Sequence, residues 1–211
     1  MFLSSKNVIV NNMNNVFAER THKEMVDVLM DPKSTGPDVH YFMIRGGSER
    51  KNITIWQSGL VGEEYIKTYG HYHVSDFMET YTILAGEGMI VLQERKVDDR
   101  GTPIDNEVNY FKAIFVKPGS VVSIPERAGH LALNTGESWL ITKDDSPVNL
   151  NKDEKTAWPQ HADYEPIRKL HGFAYYVVKK MASHSLLKIQ ITKTSLKLQS
   201  RMHKFYENIF E

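Results

Sequence analysis

Between residues 39 and 143 the chain is a succession of short runs rich in β-branched and aromatic residues, separated by turns. The runs fall at 39–44, 52–57, 65–69, 79–85, 89–94, 110–116, 121–124, 131–133 and 138–142, with Gly86-Glu87-Gly88, Pro118-Gly119 and Thr135-Gly136 as punctuation. Many short strands with turns between them close into a sandwich or a barrel. The charged stretch 95–107 reads as a solvated hairpin loop. Before the strands, Thr21 and Glu24 have capping-box spacing, and Met25, Val28 and Leu29 follow at helical intervals, which predicts a short helix ending before Pro32. After them, 144–161 reads as a polar loop and 173–178 as one more strand. Leu198, Met202, Phe205 and Ile209 then repeat at helical spacing, as in an amphipathic docking helix. The expected organisation is an N-terminal arm and short helix over 1–36, a barrel over 37–180 and a C-terminal extension over 181–211.

With 211 residues, 41% of them hydrophobic, the chain can bury one substantial core. A formal net charge of +0 offers no field for nucleic acid or an anionic membrane, so a small molecule or a second copy of the chain is the expected partner. No stretch approaches the roughly 18 apolar residues of a membrane span. Residues 1–10 lack the long apolar region of a secretory signal, and the cytoplasm is the expected location. The absence of cysteine excludes disulfides, thiolate metal sites and a cysteine nucleophile, leaving nitrogen and oxygen to hold any metal.

Two clusters carry chemistry. In Gly70-His71-Tyr72-His73, followed by Glu79 and Gly86, the histidines are two apart, so on a strand both imidazoles face one point. In the second, Pro118-Gly119 turns into a short apolar strand that Pro125 ends, and Arg127, His130 and Asn134 follow. A histidine pair alone is weak evidence and His130 alone is an ordinary half-buried residue; their order and combination are the signal.

Taken together, Gly70, His71, His73, Glu79, Gly86 and then Gly119, Pro125, His130, Asn134 resemble the two motifs of the cupin superfamily. The resemblance implies an all-β double-stranded β-helix, or jelly-roll barrel, here with short N- and C-terminal helical extensions. It also implies one divalent metal per subunit on His71, His73, Glu79 and His130. Three imidazoles and a carboxylate suit Fe(II), the first expectation, as well as Mn(II), Ni(II) or Zn(II), with positions left for substrate oxygens.

Within cupins the chain resembles the archaeal-type glucose-6-phosphate isomerases from about residue 41 to 173. The shared features are Thr54 in Ile53-Thr54-Ile55, Gly59, Gly62, Thr68, Glu79-Thr80-Tyr81, Asn134-Thr135-Gly136-Glu137 and Asp163-Tyr164. This implies that Tyr41, Thr54, Thr68, Gly70 and Tyr164 hold a sugar phosphate, with Tyr81 beside the metal. Glu79 is the catalytic carboxylate placed to move the carbon 2 proton, a metal-assisted hydride shift being the alternative route. It further implies a homodimer interconverting glucose 6-phosphate and fructose 6-phosphate. Arg127 stands where the family carries an aromatic residue and is a further candidate for the anion. His161 lies one residue out of register with a family histidine. A cupin dioxygenase and a noncatalytic, metal-containing sugar-phosphate-binding cupin are the alternatives.

Overall fold

The computed structural model describes residues 16–46, 52–74, 76–147, 161–180, 183–188 and 193–194. In chain order the elements are β1 (Val16–Thr21), α1 (His22–Met25) with a 3-10 turn at Val26–Val28, β2 (Val39–Arg45), β3 (Asn52–Trp56), β4 (Leu60–Val61), β5 (Glu64–Tyr65) and β6 (Tyr72–His73). There follow β7 (Glu79–Ala85), β8 (Gly88–Val97), β9 (Pro103–Val116), β10 (Val121–Ile124), β11 (Gly129–Asn134), β12 (Leu140–Asp144), β13 (Ala162–Asp163), α2 (Glu165–Lys169), β14 (Tyr175–Lys180), β15 (Ser183–Lys188) and β16 (Lys193–Thr194).

One sheet orders its strands β1-β2-β3-β12-β7-β10 and a second β11-β8-β9-β16; a third, also four-stranded, is β15-β14-β5-β4, and β13-β6 is a two-stranded pair. Burial alternates along β3, β7 and β12 as the period of two requires. The first two sheets share one core, with Trp56, Ile83 and Leu140 from the first and Met89, Ile90, Leu131 and Leu133 from the second. This is the all-β cupin barrel that the two motifs imply. Strand β12 lies between β3 and β7, pairing Asp144 with Asn52 on one side and Tyr81 on the other. Residues far apart in sequence thereby meet on one inner face.

Several expectations need correction. The helix from Thr21 is one α-turn and a 3-10 turn, although the Glu24 carboxylate caps it by accepting from the Thr21 N–H at 2.8 Å and its hydroxyl at 2.7 Å. Val28 and Leu29 are buried, and Leu29 is already extended, so packing against the core ends the helix early. Much of 95–107 is strand: β8 and β9 run on to a tight turn around Asp98, with Arg95–Asp105 and Lys96–Glu107 pairs beside it. Opposite charges on adjacent strands let a polar sequence remain β.

The 65–69 run is a strand only at Tyr65. Its backbone continues as irregular pairing with β11, in which Thr68 N donates to Ala132 O at 2.8 Å and Asn134 N to Ile66 O at 2.9 Å. Before residue 37, β1 adds an edge strand beside β2, and beyond residue 180, β15 pairs with β14 where a helical extension was expected. The helix expected over 198–209 lies outside the described residues. No described helix is long and apolar enough to cross a membrane.

Candidate metal centre and cavity

The two histidine segments meet through their backbones. His71 N donates to His130 O at 3.1 Å and His130 N to His71 O at 3.0 Å, an isolated bridge that sets the two rings 4.5 Å apart. Gly70 allows this approach: its φ is +80°, and a Cβ there would meet Phe173 Cε1 at 3.0 Å and the His130 carbonyl oxygen at 3.2 Å. Two residues on, His73 sits in β6, held by pairing with Ala162 of β13 and by stacking on Phe77 at 3.9 Å. Tyr72 points the other way, where its hydroxyl accepts from Gln93 Nε2 at 2.6 Å and Arg95 covers its ring. The alternation read from the sequence therefore holds in space.

Glu79 opens β7 and Tyr81 follows on the same face, both registered by β10 through Ile124 and Val122. One donor atom from each of His71, His73, Glu79 and His130 lies within 4.8 Å of the others. Glu79 Oε2 is 3.0 Å from His73 Nε2 and 3.2 Å from His130 Nε2, and Tyr81 Oη is 3.4 Å from the latter. His71 Nε2 is buried with no hydrogen-bond partner among the described residues.

The electrostatics point the same way. Burial first, and then the neighbouring imidazoles, push His71 and His130 well below the ordinary histidine value; burial also lowers His73. All three are thereby held in the neutral form that a ligand nitrogen needs. Burial and then the Asp144 charge push the Glu79 carboxyl well above its ordinary range, so its anion lacks a compensating cation. Neutral nitrogens, one under-compensated carboxylate and an orphaned ring nitrogen are what a divalent ion would satisfy, and the residues fit one.

A cavity of roughly 560 Å³, counted with its open mouth, leads to the cluster. Tyr41, Thr54, Thr68, Gly70, His71, Glu79, Tyr81, His130 and Tyr164 all line it. His73, which is not part of that lining, completes the four-residue cluster that could hold a metal. His161, out of register in sequence, joins the wall with its ring 5.9 Å from that of His71.

Arg127 does not join it. The Pro125–Ala128 turn, closed by Ala128 N to Pro125 O at 3.0 Å, carries that side chain to the exposed surface. Among the described residues the arginine or lysine on the cavity wall is Arg45, which is 5% exposed. It shares a face of β2 with Tyr41 and Met43, so strand alternation from Tyr41 was the signal that could have found it. Asn52, Asp144 and Ser146 were also missed. Asn52 Nδ2 donates to Asp144 Oδ1 at 2.7 Å and to Ser146 Oγ at 2.9 Å, making a polar cluster beside Glu79. Asn134 spends its amide on structure, donating to Trp56 O and Ser138 O.

The model of the family described as "Glucose-6-phosphate isomerase (GPI)" matches residues 14–191. The glucose-6-phosphate isomerase of Pyrococcus abyssi is 33% identical over 104 residues, 49% of each chain, and that of Thermococcus gammatolerans is 33% identical over 110 residues, 52% of each. The matched segment thus spans about half the length of these curated relatives. A solved oxalate decarboxylase from Lactobacillus farciminis is similar at 17% identity and a TM-score of 0.36, over 53% of this chain and 30% of that one, which is too low to bear on function. With the family model covering most of its length and both histidine motifs converging in space, the chain belongs to the glucose-6-phosphate isomerase family in its archaeal cupin form.

Proposed function

We propose that this protein is a metal-dependent aldose–ketose isomerase that interconverts glucose 6-phosphate and fructose 6-phosphate, in the cytoplasm and as a homodimer, serving glycolysis and gluconeogenesis. The observation that carries the reading is the convergence of His71, His73, Glu79 and His130 at one end of a hydroxyl-lined cavity, in a chain of this family. A divalent ion on those four residues, Fe(II) first among the candidates, would polarise the sugar oxygens and favour loss of the proton on carbon 2. Glu79 lines the cavity at the cluster and is the carboxylate suited to carry that proton between carbons 2 and 1. The Tyr81 hydroxyl beside His130 orients the reacting end of the sugar.

Recognition of the phosphate falls to the polar groups that line the same cavity. Tyr41, Thr54, Thr68 and Tyr164 supply hydroxyls and Gly70 gives backbone access. The Arg45 guanidinium supplies charge close enough to act on His71 and Tyr164. Arg45→Ala is expected to raise KM for fructose 6-phosphate about tenfold or more, the scale of a hydrogen bond to a charged group. Arg127→Ala should leave KM within about twofold, because an exposed, screened charge contributes little. Steady-state kinetics of the two variants checks this, and equal effects would refute the division.

The reading is tested by turnover. Purified protein loaded in turn with Fe(II), Mn(II), Ni(II) and Zn(II) is assayed for fructose 6-phosphate formation in deuterated water, before and after chelation. Activity that disappears on chelation, returns with metal and incorporates deuterium at the exchanging carbon is the expected result. Tight binding of sugar phosphate without turnover would make the protein a noncatalytic binder, and complete retention of the carbon-bound hydrogen would remove Glu79 from the proton path.

A further inference from the structure

Arg20 lies outside the cavity, on the edge strand β1, yet it is fully buried. It stands directly opposite Tyr41 in the β1–β2 register, at the irregularity between Arg20 and Thr21. Its guanidinium carbon is 5.8 Å from the ring centre of Tyr41, 5.6 Å from that of Tyr69 and 5.8 Å from that of Tyr164. Arg20 Nε donates to the Tyr41 hydroxyl oxygen at 3.1 Å, and the Tyr69 backbone N–H donates to the same oxygen at 3.3 Å. The guanidinium is also a hydrogen-bond partner of the Tyr164 hydroxyl.

A phenol oxygen has two acceptor positions and one proton to give. At Tyr41 both acceptor positions are filled, by a guanidinium N–H and a peptide N–H, neither of which can accept in return. The Tyr41 proton must therefore go to another group, and Tyr41 lines the cavity. Thr68 is less constrained, since its Oγ1 accepts the Ala132 N–H at 3.0 Å and keeps one acceptor position as well as its hydroxyl proton. A cavity-lining hydroxyl locked as a donor, as at Tyr41, favours anionic oxygens over groups that would themselves donate.

We propose that Arg20 is a positioning residue for sugar-phosphate recognition: it fixes Tyr41 as a hydrogen-bond donor into the cavity and holds Tyr164 beside it, without touching substrate. The proposal rests on the sugar-phosphate reading of the cavity. It gives β1 a functional role, because the strand aligns the substrate wall as well as covering the sheet edge.

The test is a double-mutant cycle on metal-loaded protein, with Arg20→Met and Tyr41→Phe singly and together. Both KM for fructose 6-phosphate and the calorimetric Kd for glucose 6-phosphate are measured, with metal content and circular dichroism as controls. Arg20→Met is expected to raise both constants about tenfold, to leave kcat within about twofold, and to add less than about twofold once Tyr41 is phenylalanine. Arg20→Lys, which keeps the charge but cannot fork onto two hydroxyls, should fall between, and it carries the cycle if the methionine variant does not fold. An Arg20 effect of the same size in both Tyr41 backgrounds, or one falling on kcat at unchanged Kd, would overturn the proposal. If the wild-type protein binds glucose 6-phosphate but does not turn it over, the isomerase reading fails while the cycle in Kd still decides the role of Arg20.

Discussion

Glu79→Gln is expected to lower turnover of fructose 6-phosphate by roughly two to four orders of magnitude, the range of a lost general acid–base group. The substitution preserves volume and one oxygen but removes the charge and the ability to take a proton. Glu79 Oε2 is the atom that faces both His73 and His130, so affinity for a divalent ion should also fall. Turnover at saturating metal, measured against metal content, separates the two losses. The stability prediction has the opposite sign. In the metal-free protein the folded Glu79 carboxyl titrates well above its unfolded value, so the folded state binds more protons and loses stability as pH rises above the ordinary carboxylate range. Metal-free Glu79→Gln should then melt at or above the wild-type temperature at pH 7, whereas with metal present the wild type should be the more stable. A metal-free variant that melts well below wild type would show that Glu79 serves the fold instead of a cation.

Gly70→Ala should be damaging in another way, through the backbone. A φ of +80° with a side chain costs about 1–3 kcal/mol. The added Cβ would also press on Phe173, the His130 carbonyl and Leu131 Cβ at 3.0–3.2 Å. Since the His71–His130 bridge begins at the next residue, relief of these contacts separates two of the four cluster residues. Metal affinity and turnover are both expected to fall more than about tenfold, as expected when positioning groups are displaced by a fraction of an ångström. The control is Gly119→Ala, where φ is +87° but nothing lies within 4 Å of the added atom. That variant should melt a few degrees lower and keep full activity, so thermal melts and kinetics of the pair isolate the contacts from the backbone strain.

Legibility differed from residue to residue. His71 and His73 could be paired from sequence because alternation on extended chain is local, and Tyr72 duly faces the opposite side. Glu79 to Ala85 and Val121 to Ile124 were bounded correctly, because Gly86, Pro118-Gly119 and Pro125 mark their ends. Arg127 was a candidate from the family position it occupies, and that position does not reveal that the Pro125–Ala128 turn carries its side chain to the surface. Arg45 was passed over for the converse reason. Alternation put it on the face of Tyr41, but nothing local showed that this face continues as the cavity wall. Asp144 looked like the start of a polar loop, and becomes a partner of Glu79 only because β12 inserts beside β7.

The order and spacing of residues along the chain determined the β architecture, the pairing of His71 with His73 on one face and the family, because all of these depend on short-range periodicity and turn chemistry. Tertiary structure alone decided that the two motifs bridge through His71 and His130, that Arg45 and not Arg127 supplies the cavity's cation, and that β1 brings Arg20 against Tyr41. These depend on which strands become neighbours across the sheet, and that is settled by burial of the whole core, not by any local stretch of sequence.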